Sequence, residues 1–401
     1  MAGPLAGVRV VDLTSVGMGP YATQILGDMG ADVIKVESPE GDLSRDIPPF
    51  RHPGMGALFL NLNRNKRSIV LDLKHTGSRD VLRRMVAAAD VLISNIRPQS
   101  MRKLGLDYET LSQVNPRLIY CGAYGFSEDG PYTGQPAFDD VIQAMSGLAA
   151  LQGAGESDGP AYVKSVVADK TCGLHIACAV VMALYAREKT GRGQRVEVPM
   201  FETMVSFMLP EHLMGLTFSP PLGPAGYDRL LSPFRRPYKT KDGYLAVLPY
   251  TTAQWQRFFE LAGRPELATD PRFLEMSARH AHIDQLYQLT AEIISTKRTD
   301  EWHRLLTGAD VPVARVLGPD DLLADPHLST RGFFEHRTHP WEGDITNIGI
   351  PTRFSATPGS VRRLAPRLGE HSDEILAELG FDERERQRLY DDGVSFKPEG
   401  H

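Results

Sequence analysis

Apolar positions along the chain switch repeatedly between two spacings. Val8–Leu13 is a short continuous apolar run, the pattern of a strand buried on both faces. Pro20–Met29 follows with helical spacing, a proline at a first-turn position, and Gly27 and Gly30 bracketing its end. Val33–Val36, closed by Glu37, is a second buried-type strand. Together they predict a β-α-β unit with parallel strands and a right-handed crossover. The alternation continues. A basic turn and short strand are expected over Asn63–Lys74, a helix over Arg79–Ala89, a strand over Val91–Asn95 and a short helix over Ser100–Leu104. Leu118–Cys121 is a strand, Asp139–Leu148 a helix, Val196–Val198 a strand and Glu202–Phe218 a helix. Strands and helices in this order predict an open α/β sheet, mainly parallel.

The longest helical pattern, Cys172–Arg187, is almost unbroken apolar sequence, and an extended stretch from Tyr162 leads into it through Asp169. A carboxylate at such a junction has two possible roles. It can cap the helix by accepting from free first-turn N–H groups. It can also serve as a nucleophile, an ionised group at the positive end of a helix.

The character of the chain changes after Pro220–Pro237, which holds five prolines and little regular pattern. A strand at Tyr244–Leu248 and helices at Thr252–Ala262, His282–Ser295 and Thr299–Gly308 predict a smaller α+β domain. The expected division is therefore a large domain over 1–219, a linker over 220–237, a small domain over 238–323, and a closing segment over 324–401. The last segment has short strands and one helix, His371–Leu379.

Composition narrows the function. At 401 residues the chain is long enough for two or three domains. It is 42% hydrophobic and 23% charged, with a net charge of −6, which fits a soluble globular protein. No basic stripe points to nucleic acid, and Arg235-Arg236 and Arg362-Arg363 are isolated pairs. Arg235-Arg236 is open to a second role, holding a substrate carboxylate. Met1–Gly7 has no leader pattern, and Leu174–Ala186 is too short to span a membrane and contains His175 and Cys178. Three cysteines do not make a disulfide framework, so a reducing cytoplasm is expected.

Several chemistries fall away on spacing. Gly17-Met-Gly-Pro-Tyr-Ala22 has the form G-x-G-x-x-A, with Glu37 placed like a ribose-binding acid. Three residues nevertheless separate the strand from the first glycine, and Pro20 removes an amide that a pyrophosphate would use, so NAD is not expected. Cys172, His175 and Cys178 lie three apart on one rigid helix, where they do not converge on a tetrahedral ion, so no metal is expected. His280 and His282 read as surface residues. There is no G-x-S-x-G elbow and no G-x-x-x-x-G-K-[ST] phosphate loop. Arg64, Lys66 and Arg67 suit either a phosphate-holding turn or a solvated one, and Arg45 and His52 lie in a loop open to substrate.

In order along the chain, DLTSVGMGP, GADVIKVE, NRNKRSIVLDLK, SNIRPQSMRKLGL, GFSEDGPY, QPAFDDVIQAMSG, ADKTCGLH, TGRGQRVEVPMFE and LGEHSDEIL resemble the class III CoA-transferases. This CaiB/BaiF superfamily includes formyl-CoA and carnitine CoA-transferases and the 2-methylacyl-CoA racemases. The resemblance runs from about Leu5 to Leu379. It implies a Rossmann-like large domain with an open, mainly parallel sheet, a smaller α+β domain, and a C-terminal return to the first. It also implies an interlocked, ring-like homodimer, coenzyme A as co-substrate, an acyl-CoA donor and a small carboxylic acid acceptor.

By position, Asp169 resembles the family's catalytic aspartate. Val16 and Gly17 resemble the backbone that meets CoA, and Leu71, Lys74, Asn95, Ile96, Lys103 and Leu104 the residues along its adenine, pyrophosphate and pantetheine. Phe138 and Asp139 stand at the substrate end. Three departures are visible. Gly17 replaces a Gln that touches the acyl group in some transferases, Ser38 replaces an Arg beside the nucleotide, and the oxalate-specific glycine loop is missing.

The superfamily runs two reactions. Racemisation needs an acid/base group on each side of the α-carbon, and where the racemases have a His before an Asp this chain has Phe138. A phenyl ring carries no proton. Transfer needs one carboxylate, which Asp169 supplies through an aspartyl anhydride and an aspartyl-CoA thioester. CoA transfer is the expected activity, with 2-methylacyl-CoA racemisation as the alternative.

Overall fold

The computed structural model describes residues 3–154 and 159–398. They fall into two compact units. The first takes the chain up to Gly147, Val163–Phe207, and everything from Thr330 onward; the second takes Leu148–Tyr162 and Met208–Ser329.

The first unit contains strands β1 (Arg9–Leu13), β2 (Asp32–Glu37), β3 (Lys66–Leu71), β4 (Val91–Ser94), β5 (Ile119–Tyr124) and β6 (Gln194–Pro199). The second contributes β7 (Tyr238–Lys239), β8 (Tyr244–Val247) and β9 (Val313–Arg315). The closing segment of the first adds β10 (Phe334–His339), β11 (Gly343–Ile348) and β12 (Ser395–Phe396). Among the described residues the main sheet has seven strands in the order β12-β3-β2-β1-β4-β5-β6. β1 to β6 run parallel, and β12 pairs antiparallel with β3, Ser395 opposite Leu71. From β1 to β5 nearly every residue is buried, which is why β1, β2, β4 and β5 read as mainly apolar runs, whereas β3 buries Lys66 and Arg67 as well.

The helices from the N-terminus are α1 (Met18–Asp28), α2 (Ala57–Leu62), α3 (Thr76–Ala87), α4 (Pro98–Leu104), α5 (Tyr108–Val114), α6 (Asp139–Met145), α7 (Leu148–Gln152), α8 (Val167–Thr190) and α9 (Met200–His212). On one face of the sheet, Val11, Ile34, Ile69, Leu71 and Leu92 form a single core with Leu82 and Met85 of α3 and Leu111 of α5. On the other face α8 lies against α1, β5 and β6. It buries Ala168, Cys172, Ile176, Val180 and Ala183 but leaves Leu174, Val181, Met182 and Tyr185 exposed. By length and composition α8 could cross a membrane, yet half of its apolar window is buried inside the protein. In the second unit, Trp255, Phe258, Phe259 and Trp302 form a separate aromatic core, and β7-β8-β9 is an antiparallel sheet.

Several expectations change. α8 begins at Val167, five residues before the apolar run starts. The helix expected to reach Phe218 stops at His212 and is followed by a separate 3-10 turn, Met214–Thr217. The stretch read as a linker holds a helical turn, Asp228–Leu231. The basic segment is neither a phosphate turn nor a solvated one. Arg64 is spent on Asp28, Lys66 on Asp12, and Arg67 on Asp32, Glu374 and Glu378. All three are buried, because the segment enters the sheet at once as β3. Arg45 is likewise buried on Glu37, and His52 bonds to Glu342.

Candidate functional site

The site forms at the C-terminal edge of the parallel sheet, where open α/β sheets bind ligands. β1 ends at Leu13, and Thr14–Gly17 turn the chain into α1. Side chains hold this turn group by group. Thr14 N–H donates to Asp12 (2.9 Å), and the Thr14 carbonyl accepts from Lys35 Nζ (2.8 Å). Asn95 closes two bonds on Ser15: its Oδ1 accepts the Ser15 N–H, and its Nδ2 donates to the Ser15 carbonyl. Val16 N–H donates to Asp42 Oδ1 (3.0 Å). Val16 sits at φ +72, a left-handed conformation that is unfavourable by roughly 1–2 kcal/mol for a residue with a Cβ and an outlier for a β-branched one. The N–H groups of Gly17 and Met18, at the start of α1, donate to nothing among the described residues.

α8 delivers the second half. Gly173 makes the approach possible, since a Cβ there would lie 2.8 Å from the Met18 carbonyl. One turn earlier stands Asp169, beside the turn. A Cβ on Gly17 would fall 2.2 Å from Asp169 Oδ2, so a residue without a side chain is what lets the carboxylate lie flat against the backbone.

Asp169 is not the cap of α8. It lies in the first turn, and the N-cap position is Val166, whose side chain makes no capping bond. The cap comes from elsewhere: Asp139 Oδ2, in the first turn of α6, accepts the backbone N–H of Asp169 at 2.9 Å. Gln143 holds the other oxygen of Asp139. The Asp169 carboxylate itself has no hydrogen bond and no ion pair among the described residues. Burial first, and then the negative charge of Asp139, push its pKa up to about 7. A carboxylate that is desolvated and unpartnered is costly to keep, and groups perturbed this way concentrate at functional sites.

These groups open onto a cleft of about 420 Å³. Val16, Gly17, Asn95, Ile96, Phe138 and Asp169 all line it. Phe138 occupies the position before α6 and is 62% exposed. Asp139 stands behind Asp169, 7% exposed. The other four predicted residues do not line this cleft. Leu71 is buried in the sheet core, Leu104 packs against that core, and Lys74 and Lys103 are exposed. Of the helical trio, Cys172 is buried while His175 and Cys178 are exposed. Glu37, which looked like a ribose acid, bonds to Arg45 and Ser68.

Sequence reasoning missed Arg97 and Glu128, both in the cleft wall. Glu128 is bonded to Arg102 and Arg195, from elements distant in sequence. It also missed Lys35 and Asp42. Lys35 did leave a signal, a lone lysine inside the otherwise buried strand DVIKVE.

Comparison with known proteins places the chain in a family. Residues 5–372 match the model of CoA-transferase family III. The succinate–glutarate CoA-transferase of Agrobacterium fabrum is 35% identical over 395 residues, covering 95% of this chain and 97% of that protein. The formyl-CoA:oxalate CoA-transferase of Streptomyces coelicolor is 32% identical, covering 97% and 98%. A crystal structure of a CaiB/BaiF family protein from Brucella suis superposes with a TM-score of 0.80 at 35% identity, covering 94% of this chain and all of that one.

Proposed function

This chain belongs to the CoA-transferase family III, and on that premise we propose that it moves CoA from an acyl-CoA to a free carboxylic acid with Asp169 as nucleophile. One observation carries the reading: the Asp169 carboxylate lies at the wall of the cleft with no partner among the described residues.

A carboxylate oxygen of Asp169 attacks the donor thioester carbon. The C–S bond breaks, CoA leaves as thiolate, and a mixed anhydride forms on Asp169. The thiolate then attacks the aspartyl carbonyl, releasing the donor acid as carboxylate and leaving an aspartyl-CoA thioester. The acceptor carboxylate attacks that thioester and expels the thiolate. The thiolate attacks the acceptor carbonyl of the new anhydride, giving the acyl-CoA product and free Asp169. No net proton is consumed, and each difficult exchange is split into easier ones. The unengaged amides of Gly17 and Met18 stand where they can receive the negative charge that develops on the attacked carbonyl. Val16, Asn95 and Ile96 line the path of the CoA arm and Phe138 bounds the acyl group; exposed Lys74 and Lys103 are assigned to its nucleotide end by family position alone, while buried Leu71 and half-buried Leu104 support that end from the core. The homodimer and the large- and small-domain division belong to the same reading, as do the cytoplasmic setting and the dicarboxylic acids named for the relatives.

Incubation with succinyl-CoA, glutaryl-CoA and formyl-CoA in turn, hydroxylamine trapping and peptide mass spectrometry test it. A hydroxamate at Asp169 with one donor is expected. No adduct with any donor that binds would overturn the reading. The racemase alternative is disfavoured because, among the described residues, no histidine lines the cleft; solvent deuterium entering the α-carbon of a 2-methylacyl-CoA would revive it.

The raised pKa has two consequences of opposite sign. The nucleophile is the ionised form, so the rate of adduct formation is expected to climb as pH rises through about 7. Stability moves the other way. A folded-state pKa above the usual carboxylate value means the folded protein favours the neutral acid, a contribution fully present below about pH 4 and lost as pH rises through about 7. Asp169→Asn is therefore expected to melt higher than the native protein at pH 8 but not at acid pH. An equal melting difference at both would show that Asp169 is not the group responsible.

A further inference from the structure

Beneath the Val16–Gly17 turn, outside the cleft, lies a fully buried ion pair. Lys35 Nζ is 2.7 Å from Asp42 Oδ2, and the two side chains are 0% and 1% exposed. Each partner reaches one side of the turn. Lys35 donates to the Thr14 carbonyl, while Asp42 accepts from Val16 N–H and from both Ser44 N–H and Ser44 Oγ. Burying two charges is a poor way to gain stability, since desolvation offsets most of their attraction. Val16 meanwhile holds a conformation it would leave if untethered, and the residue after it is the one against which Asp169 rests.

We propose that the Lys35–Asp42 pair is a positioning device for the transfer reaction, pinning Val16 in its left-handed bend so that Gly17 presents its bare backbone to the Asp169 carboxylate. This rests on the reading of Asp169 as nucleophile. Neither Lys35 nor Asp42 lines the cleft. They act through the backbone at Thr14 and Val16, and the hydrogen bonds of Asp42 to the Ser44 backbone and hydroxyl fix the anion itself. Glu37 joins the frame by accepting the Asp42 N–H and pairing with Arg45.

The test compares hydroxamate formation at Asp169 in the native enzyme with two variants. Asp42→Asn keeps the volume but places an N–H donor against either Lys35 or Val16. Lys35→Met/Asp42→Leu removes both charges together and so strands neither. Calorimetry accompanies each, so that whichever variant folds is the one read. Adduct formation is expected to fall about 10²-fold in a folded variant, the usual effect of a displacement of about 1 Å at a reacting group. The discriminating step is the addition of Val16→Gly. Glycine takes a left-handed bend without a tether, so adding it to the impaired variant is expected to return about tenfold of the lost rate. A folded variant that forms the adduct at the native rate overturns the proposal, as does a loss that Val16→Gly does not reduce. Failure of the Asp169 reading is distinguishable, because there the native enzyme itself yields no adduct.

Discussion

Asp169→Ala is expected to lower CoA transfer roughly 10⁴- to 10⁶-fold, the range seen when the nucleophile of a covalent mechanism is removed, while acyl-CoA still binds. The geometry separates these two effects. The carboxylate supports no other side chain, and its backbone N–H, which Asp139 holds, survives the substitution. α8 therefore keeps its cap and its packing against α1 through Gly173. Turnover and binding should be measured on the same preparation, by coupled assay and by calorimetric titration with a slow acyl-CoA. Turnover within about 10²-fold of native would remove Asp169 from the covalent role, since a residual of that size is more than binding and oxyanion contacts supply. Loss of binding along with turnover would instead show that the variant disturbs the cleft.

Asp12→Ala is expected to destabilise the first unit by about 3–5 kcal/mol, the penalty for breaking a buried pair and leaving its partner charged. That is a large share of the roughly 5–15 kcal/mol that holds a domain together. Asp12 is wholly buried in β1 and accepts from Lys66 Nζ, Thr14 and Thr23. Burial opposes its charge, but Lys66 and Lys35 prevail and hold its pKa at about 2. Stability linked to this group is present above about pH 4 and lost as pH falls from there toward 2. Calorimetric melting at pH 7 should show the loss, and Asp12→Leu/Lys66→Met should melt closer to the native protein because no ion is left stranded. A single variant that melts as the native protein does would mean Lys66 finds another partner or sheds its proton.

Both effects concern groups that the hydrophobic pattern only half reveals. β1, β2, β4 and β5 were legible because both their faces are covered, and a strand buried twice is apolar throughout. The start of α8 was not. It opens VADKT, with three polar residues in front of the apolar run, and its cap is Asp139, 30 residues away in the chain. A helix end satisfied across space leaves no local mark, which is why Asp169 looked like a cap and proved to be a first-turn residue with a free carboxylate. β3 was under-read for a related reason. Lys66 and Arg67 look like surface residues until their partners on β1 and β2 are known. At the site, Gly17, Asn95, Phe138 and Asp169 line one cleft while Leu71, Lys74, Lys103 and Leu104 lie outside it, and the roles of all eight rest on the resemblance. The Lys35–Asp42 pair was invisible as a unit, although a lysine within an apolar strand marked one half of it.

The short strand β12 has a consequence for synthesis. It pairs with the Val70–Leu71 end of the outer edge of β3, whose Ser68 backbone is met by His371, and Ser395 Oγ also bonds the Val70 carbonyl, 325 residues away in sequence. At ~5–20 residues per second, a ribosome needs roughly 20 to 60 s to make the intervening chain. For all of that time the nascent sheet displays one side of β3 bare, a row of unpaired N–H and C=O groups open to any passing strand. Association during expression should therefore respond to slower translation or colder growth, and to charge placed on the bare edge, more than to changes in the finished surface.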